Sequence, residues 1–307
     1  MTLAIHPTPL PGAWIKRIQP IRAGDVVAQL AQRYAGEMNA SEFATTLRMR
    51  RLSRRSYVAF LATMYPVVVG FNRALIRSIA KVDHVRNSTF VRSLAQQLEE
   101  EQAHNQLWRA MLEVHGVNHD AMYNDLEEYF GELDDDVLDR CTRETLAAVR
   151  RDLAAGAGHR FPDATFPDAV LALCHHLSES ATDPSISYWE HFASQAGIEM
   201  VIFDVVTHSI LPGVVGHPEL DLGAASTNWW MEHGQPPEPR EHHRTDEEKH
   251  LALSRMALNR SETANALSRA VEARAEDTMR LFAAALIAQS PQRHAFPIER
   301  YLRTQIA

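Results

Sequence analysis

The sequence predicts an all-α protein, a bundle of about eight to ten helices in one domain. Three observations carry this. Apolar residues recur three and four apart along most of the chain, the stripe of a helix that buries one face. Segment after segment opens on Ser, Asp or Asn, the residues that cap helix N-termini. No stretch alternates apolar and polar residues as a half-buried strand does, and there is no internal repeat or low-complexity segment.

Residues 1–23 contain Pro7, Pro9, Pro11 and Pro20 and are expected to form an arm on the surface, with the helical domain over 24–307. Asp25 is expected to start the first helix, with Val27, Leu30 and Tyr34 on one face. Ser53 caps a long helix through Leu61, Met64, Tyr65, Val68, Phe71, Leu75 and Ile79, which Pro66 is expected to kink or break. Asn87 or Ser88 caps the next, which runs to Gly116 along Phe90, Leu94, Leu98, Glu101, Asn105, Trp108 and Leu112. That stripe turns polar in its middle. Glu101 lies on its centre and His104 beside it, whereas Glu99 and Glu100 point off it and are expected to be solvated.

Asn118 and Asp120 open a short helix to Phe130, and residues 134–136 open another with Val137, Leu138, Cys141, Ala148 and Val149 inward. Residues 156–167 read as a loop. Pro167 suits the first position of a helix carrying Val170, Leu173, Cys174 and Leu177. His175 and His176 on that helix lack acidic partners at helical spacing and read as ordinary helix residues. Ser185 is expected to start a long helix ending near Pro212 and Gly213, with the stripe Trp189, Phe192, Ala196, Glu199, Phe203, Val206 and Ile210. Here too a lone carboxylate, Glu199, sits in an apolar line, and Glu190 falls off it. Residues 216–239 read as a loop with a short aromatic turn at 229–233. The helix after Pro237 and Pro239 carries His243, Glu247 and His250 at i, i+4 and i+7, one face, with Asp246 beside them. Ser261 caps a last helix through Leu267, Val271, Met279, Phe282 and Leu286.

Composition excludes several classes. A net charge of −8 and a pI of about 6.0 leave no basic footprint for nucleic acid. Cys141 and Cys174 form neither a disulfide framework nor a thiolate metal motif. No apolar run is expected to reach the roughly 20 residues that span a bilayer, and the first residues lack a signal peptide's basic start. The expectation is a cytoplasmic protein with a small-molecule substrate and no membrane partner; assembly as a homodimer stays open. Neither a Gly-rich phosphate loop nor a Gly-x-Ser-x-Gly elbow is present.

What remains is a constellation. Three helices place acid or imidazole groups where a core stripe is otherwise apolar: Glu101 and His104, then Glu199, then His243, Glu247 and His250. A buried carboxylate costs several kcal/mol unless it is paired or holds a metal. Three carboxylates and three histidines match a carboxylate-bridged pair of metal ions, which helix bundles build from facing helices. A mixed nitrogen and oxygen set suits iron, manganese or zinc.

The order Glu…His, then Glu, then His-x-x-x-(Asp/Glu)-x-x-His resembles the haem-oxygenase-like di-iron oxidases and oxygenases over roughly residues 55–290. The resemblance implies a haem-oxygenase-like helical bundle without haem, two Fe(II) as cofactor, and O2 as oxidant. It implies Glu101, His104, Glu199, His243, Glu247 and His250 as iron ligands. The chain departs from the family pattern in three places. Many members have Asp where Glu247 stands, which leaves Asp246 as an alternate. Many place the first Glu seven residues before its His, where this chain has Gln97. The long segment between Glu199 and His243 leaves His233 as an alternate to His243. Family reactions include N-oxygenation, desaturation and C–C cleavage in biosynthetic pathways, and the implied substrate is a small amine or amino acid. Fatty-acid oxidation is the alternative. Arg73 and Arg77 are candidates to pair with a substrate carboxylate, and Tyr65, Phe71, Trp108, Trp189 and Phe203 to line the pocket.

Two other readings compete. Ferritin-like di-iron N-oxygenases need one more Glu on the preceding helix, but residues 53–82 contain no Asp or Glu. Thiaminase-like hydrolases and the cofactorless quinone-cofactor synthase share the scaffold and use acid–base groups without a full ligand set.

Overall fold

The first described helix, α1, Ala23–Asn39, is preceded by Arg22, whose side chain makes no cap. The computed structural model describes residues 22–85, 88–131, 135–154, 166–234 and 246–287, together with Arg300 and Leu302. All but the last two residues of the expected arm, and Asn87, lie outside this set. Asp25 sits inside the first turn of α1 instead of capping it, and accepts from Arg255 Nε at 2.9 Å and Asn259 Nδ2 at 3.0 Å. A short helix the sequence pattern does not reveal follows, α2, Glu42–Arg48, capped by Ser41.

Ser53 caps α3, Arg54–Lys81, by accepting from the Ser56 amide at 3.2 Å. Pro66 does not break this helix. An interior proline costs about 3 kcal/mol, and α3 buries residues along most of its length against α7 and α4, which outweighs it. Helix α4, Ser88–Val114, comes next, then α5, His119–Gly131, α6, Asp135–Ala154, and α7, Phe166–Thr182. Helix α8, Tyr188–Val205, starts later than expected because Ser187 and Glu190 form a reciprocal capping box. That gives Glu190 its role. A π-helical turn, Val206–Ile210, then leads into the single turn α9, Leu211–Val214.

The stretch expected as a loop with an aromatic turn contains a full helix, α10, Ala224–His233. Helix α11, Asp246–Arg260, supplies the acid- and histidine-rich face; residues 235–245 before it lie outside the described set. The expected last helix is two: α12, Glu262–Ala266, capped by Ser261, and α13, Ser268–Ile287. Among the described residues there are thirteen α-helical segments and no strand, only an isolated bridge between Val117 and Leu302. The count exceeds eight to ten because one-turn pieces carry too little periodicity to be read.

Helix α13 is the axis. It packs on α8, α1 and α7, while α3 lies between α7 and α4, α10 rests on α4, and α11 covers α1 and α8. Two stretches, Arg54–Lys81 and Tyr188–Val214, are long and apolar enough to cross a membrane, contrary to expectation. Their apolar windows are 67% and 61% buried inside the protein, so their composition answers to the core.

Three core histidines are held neutral. Burial first, then Arg54, pushes His115 down to about 4. Burial and then Arg274 push His176 to about 3; its Nε2 meets Thr278 Oγ1 at 3.0 Å. Burial pushes His191 to about 4, where its Nε2 lies 3.0 Å from Ser78 Oγ. His175 instead pairs with Asp139 at 2.6 Å. A folded pKa below the unfolded value of 6.5 means the unfolded chain binds the proton first. The stability from neutral burial is therefore complete above about 6.5 and is lost as pH falls toward 4, at no more than roughly 1.4 kcal/mol per pH unit for each histidine. Urea midpoints measured from pH 7.5 to 4.5 should fall accordingly, and His191→Gln should flatten the slope.

Candidate metal centre

The centre forms where α4, α10, α8 and α11 face one another. Glu101 and His104 are one turn apart on α4, with His104 Nδ1 and Glu101 Oε2 at 3.3 Å. Glu101 is 8% exposed. Across from them Asn72 of α3 donates to the Glu101 carbonyl at 3.0 Å, fixing the α4 backbone at the ligand turn.

His233, the last residue of α10, completes the cluster. Its ring lies 3.7 Å from the Trp229 ring in a stack, and Nδ1–H donates to the Trp229 carbonyl at 2.8 Å. That bond sets the tautomer and leaves the Nε2 lone pair free, the arrangement that metal-binding histidines use. The His104 and His233 ring centroids are 4.2 Å apart. One donor atom each from Glu101, His104 and His233 lie within 4.8 Å of one another. Two imidazoles and one carboxylate in that space are a mixed nitrogen and oxygen set that suits a first-row divalent ion such as iron, manganese or zinc.

The wall behind is aromatic. Trp108 of α4 meets Trp229 at 4.7 Å and Trp230 at 5.4 Å. Trp108 Nε1 donates to the Leu61 carbonyl at 3.1 Å, and Trp230 Nε1 to Tyr57 Oη at 2.7 Å. These bonds tie α10 to α3 and α4 and so hold His233 in place. Below the wall is an apolar cavity of about 30 Å³ bounded by Trp108, Trp230, Phe60 and Met64.

The electrostatics follow from the packing. Burial pushes the Glu101 carboxyl up, but the His104 hydrogen bond and the nearby His233, His104 and His250 outweigh it and hold the group below its ordinary value. Burial, and next His104, pushes His233 down to about 4, with Glu101 opposing. An ionised Glu101 carboxylate beside a neutral His233 imidazole is the protonation state a cation needs.

Glu199 of α8 is 6% exposed and accepts a hydrogen bond from Gln97 Nε2. Gln97, in sequence only a departure from the family pattern, thus joins the centre as an amide donor. His250 of α11 has Nε2 at 2.9 Å from Glu100 Oε2. Glu100 is therefore not simply solvated: it is half-buried, with one oxygen against His250 of α11, while Glu99 is exposed as expected.

The structure brings together Glu101, His104 and the alternate His233, with Glu199 and His250 each engaged by an α4 side chain. His243 lies outside the described residues, as do the side chains of Glu247 and Asp246. Arg73 and Arg77 do not reach the cluster: both are exposed, and Arg77 Nη1 bonds Ser178 Oγ on α7 at 2.6 Å. Trp189 packs with Phe90 and Phe192 nearer the start of α8, and Tyr65 packs edge-on against His119. Phe203 lines a groove of about 260 Å³ between α1, α8 and α11, with Asp204 and Arg255. Sequence reasoning missed Asn72, Trp229 and Glu100. The spacing of four between Trp229 and His233 is the signal that could have revealed the bond to the imidazole, once the stretch is taken as helix.

No family model matches the sequence, and no curated protein matches it. Among solved structures the chain is similar to a TenA homolog from Pseudomonas syringae pv. tomato str. DC3000, with a TM-score of 0.53 and 15% identity, covering 91% of this chain and 98% of that one. The helical content and this likeness agree: the chain has the all-helical haem-oxygenase-like fold.

Proposed function

We propose that the protein is a non-haem di-iron enzyme that uses O2 to oxidise a small amine or amino acid. The observation that carries the reading is the convergence of Glu101, His104 and His233 donor atoms within 4.8 Å in a buried, aromatic-walled setting. The residues fit one iron at that cluster. Glu199 and His250 stand next to it as donors for a second, with Glu247 or Asp246 on the same helix. Two Fe(II) bound there would supply electrons to O2.

The chain's own part is to orient and to exclude water. Trp229 holds the His233 tautomer, Asn72 holds the Glu101 turn, and Gln97 orients Glu199. Trp108 and Trp230 keep bulk water from the donors, which strengthens every electrostatic interaction inside. For the substrate class, the groove beside α8 and α11 sets Asp204 and Arg255 against Phe203, Met200 and Leu251. One acid and one guanidinium on an apolar floor match the amine and carboxylate of a small amino acid. Arg255 also pairs with Asp25 at 2.8 Å, so a substrate carboxylate competes with that bond. A fatty acid needs a long apolar tunnel, and the apolar cavity beside Trp108 is about 30 Å³.

The likeness to a TenA homolog favours a second reading, a metal-free acid–base enzyme of the thiaminase-like kind. Such an enzyme would use Glu101 and its imidazoles and not a thiolate, since burial pushes Cys174 up to about 12 and raises Cys141 too. Anaerobic Fe(II) titration separates the two. The expected result is about two iron ions per chain, followed by O2 uptake that an amino acid accelerates. Uptake of one Zn(II) only, with an iron-loaded form inert to O2, would leave the metal-free reading.

A further inference from the structure

We propose that Glu100 is a metal ligand, supplying with His250 the second cation position beside the Glu101, His104 and His233 cluster. The inference rests on the di-iron reading. Its first support is geometric. Glu100 Oε2 lies 2.9 Å from His250 Nε2, yet the oxygen is shut off from solvent and, among the described residues, receives no aligned hydrogen bond. The other oxygen, Oε1, accepts from Gln96 Nε2 at 3.0 Å. A buried carboxylate oxygen without an aligned donor is costly, and a cation is one of the few partners that removes the cost. A carboxylate oxygen and an imidazole nitrogen this close together suit a divalent first-row ion.

The second support is proximity to the first position. Glu100 directly precedes Glu101 on α4 and pairs with His250 of α11, so the Glu100–His250 pair starts from the same turn that carries the three-residue cluster. The third is charge. A pair of divalent ions needs several anionic donors, and the residue one turn earlier on α4, Gln97, is a neutral amide spent on Glu199. Glu100 brings the missing carboxylate to the same helix. The α4 side chains then take separate roles. Glu101 and His104 serve one ion, Glu100 serves the other, and Gln97 positions Glu199.

Glu100→Gln is isosteric and removes only the charge. Wild type, Glu100→Gln, Glu100→Asp and the exposed neighbour Glu99→Gln are each titrated anaerobically with Co(II), followed by its visible absorption. Wild type should take up two ions. Glu100→Gln should keep the first affinity within about twofold, which also reports an intact fold, and weaken the second by more than about tenfold with a changed Co(II) band. Glu100→Asp should recover part of the second affinity, and Glu99→Gln should match wild type. If Glu100→Gln binds both ions as tightly as wild type, or more tightly because His250 is released, the ligand assignment falls and the di-iron reading stands. If wild type binds no second ion, both fall.

Discussion

Replacing His233 with alanine is expected to abolish tight metal uptake. Loss of outer-shell partners alone costs about 10- to 100-fold in affinity, so loss of the imidazole itself should exceed 100-fold at the first position. The reason is local. His233 is pinned by Trp229 on one nitrogen and faces Glu101 and His104 with the other, and no neighbouring described side chain replaces that donor. The substitution also leaves an imidazole-sized gap against the Trp229 ring. Free imidazole in the buffer should therefore restore part of the affinity, which a merely misfolded variant would not permit. Full retention of metal by His233→Ala would transfer the role to His243.

Trp230→Ala should be the most damaging change away from the ligands. Trp230 is 2% exposed, stacks near Phe60, and meets both Trp108 and Trp229. Truncating a buried tryptophan costs about 3–5 kcal/mol. It also leaves the buried Tyr57 hydroxyl without its Nε1 donor, at a further cost of about 1 kcal/mol or more. Chemical denaturation should show a lower midpoint with an unchanged slope. Trp230→Phe should recover most of the packing but not the hydrogen bond, so it should fall between the two. A loss below about 1 kcal/mol for the alanine variant would mean that the aromatic wall does not anchor α10.

The parts of this architecture that are legible in the sequence are those with a long period. The α4 stripe places Glu101 correctly in the core, and the α8 stripe does the same for Glu199, because both helices are long enough for one polar residue to stand out against many apolar ones. Helix α10 reads in sequence only as a turn. It has ten residues, is flanked by Gly223 and Gly234, and is buried chiefly through its two tryptophans. Glu100 reads as solvated because its contact with His250 comes from a helix far along the chain, a tertiary fact that periodicity along α4 does not contain. Pro66 misleads in the opposite sense: the local rule against it is sound, and packing overrides it. The two candidate arginines fail for a related reason, since Arg73 and Arg77 lie on a side of α3 that no stripe identifies.

The π-turn after α8 has a consequence for descent. A turn closed from i to i+5 holds about one residue more than an α-turn, and such turns concentrate at functional sites. Upstream, the helix is held by Glu199 on Gln97. Downstream, Gly213 lies so close to Leu47 that a β-carbon there would sit 2.6 Å from the Leu47 side chain. With both flanks pinned, an extra residue cannot be absorbed by rotating either half, and the backbone widens locally at Val206–Ile210. Relatives lacking one residue in this interval would carry a regular helix with the same anchors, and an alignment forced through it without a gap would misplace every residue on one side of the turn.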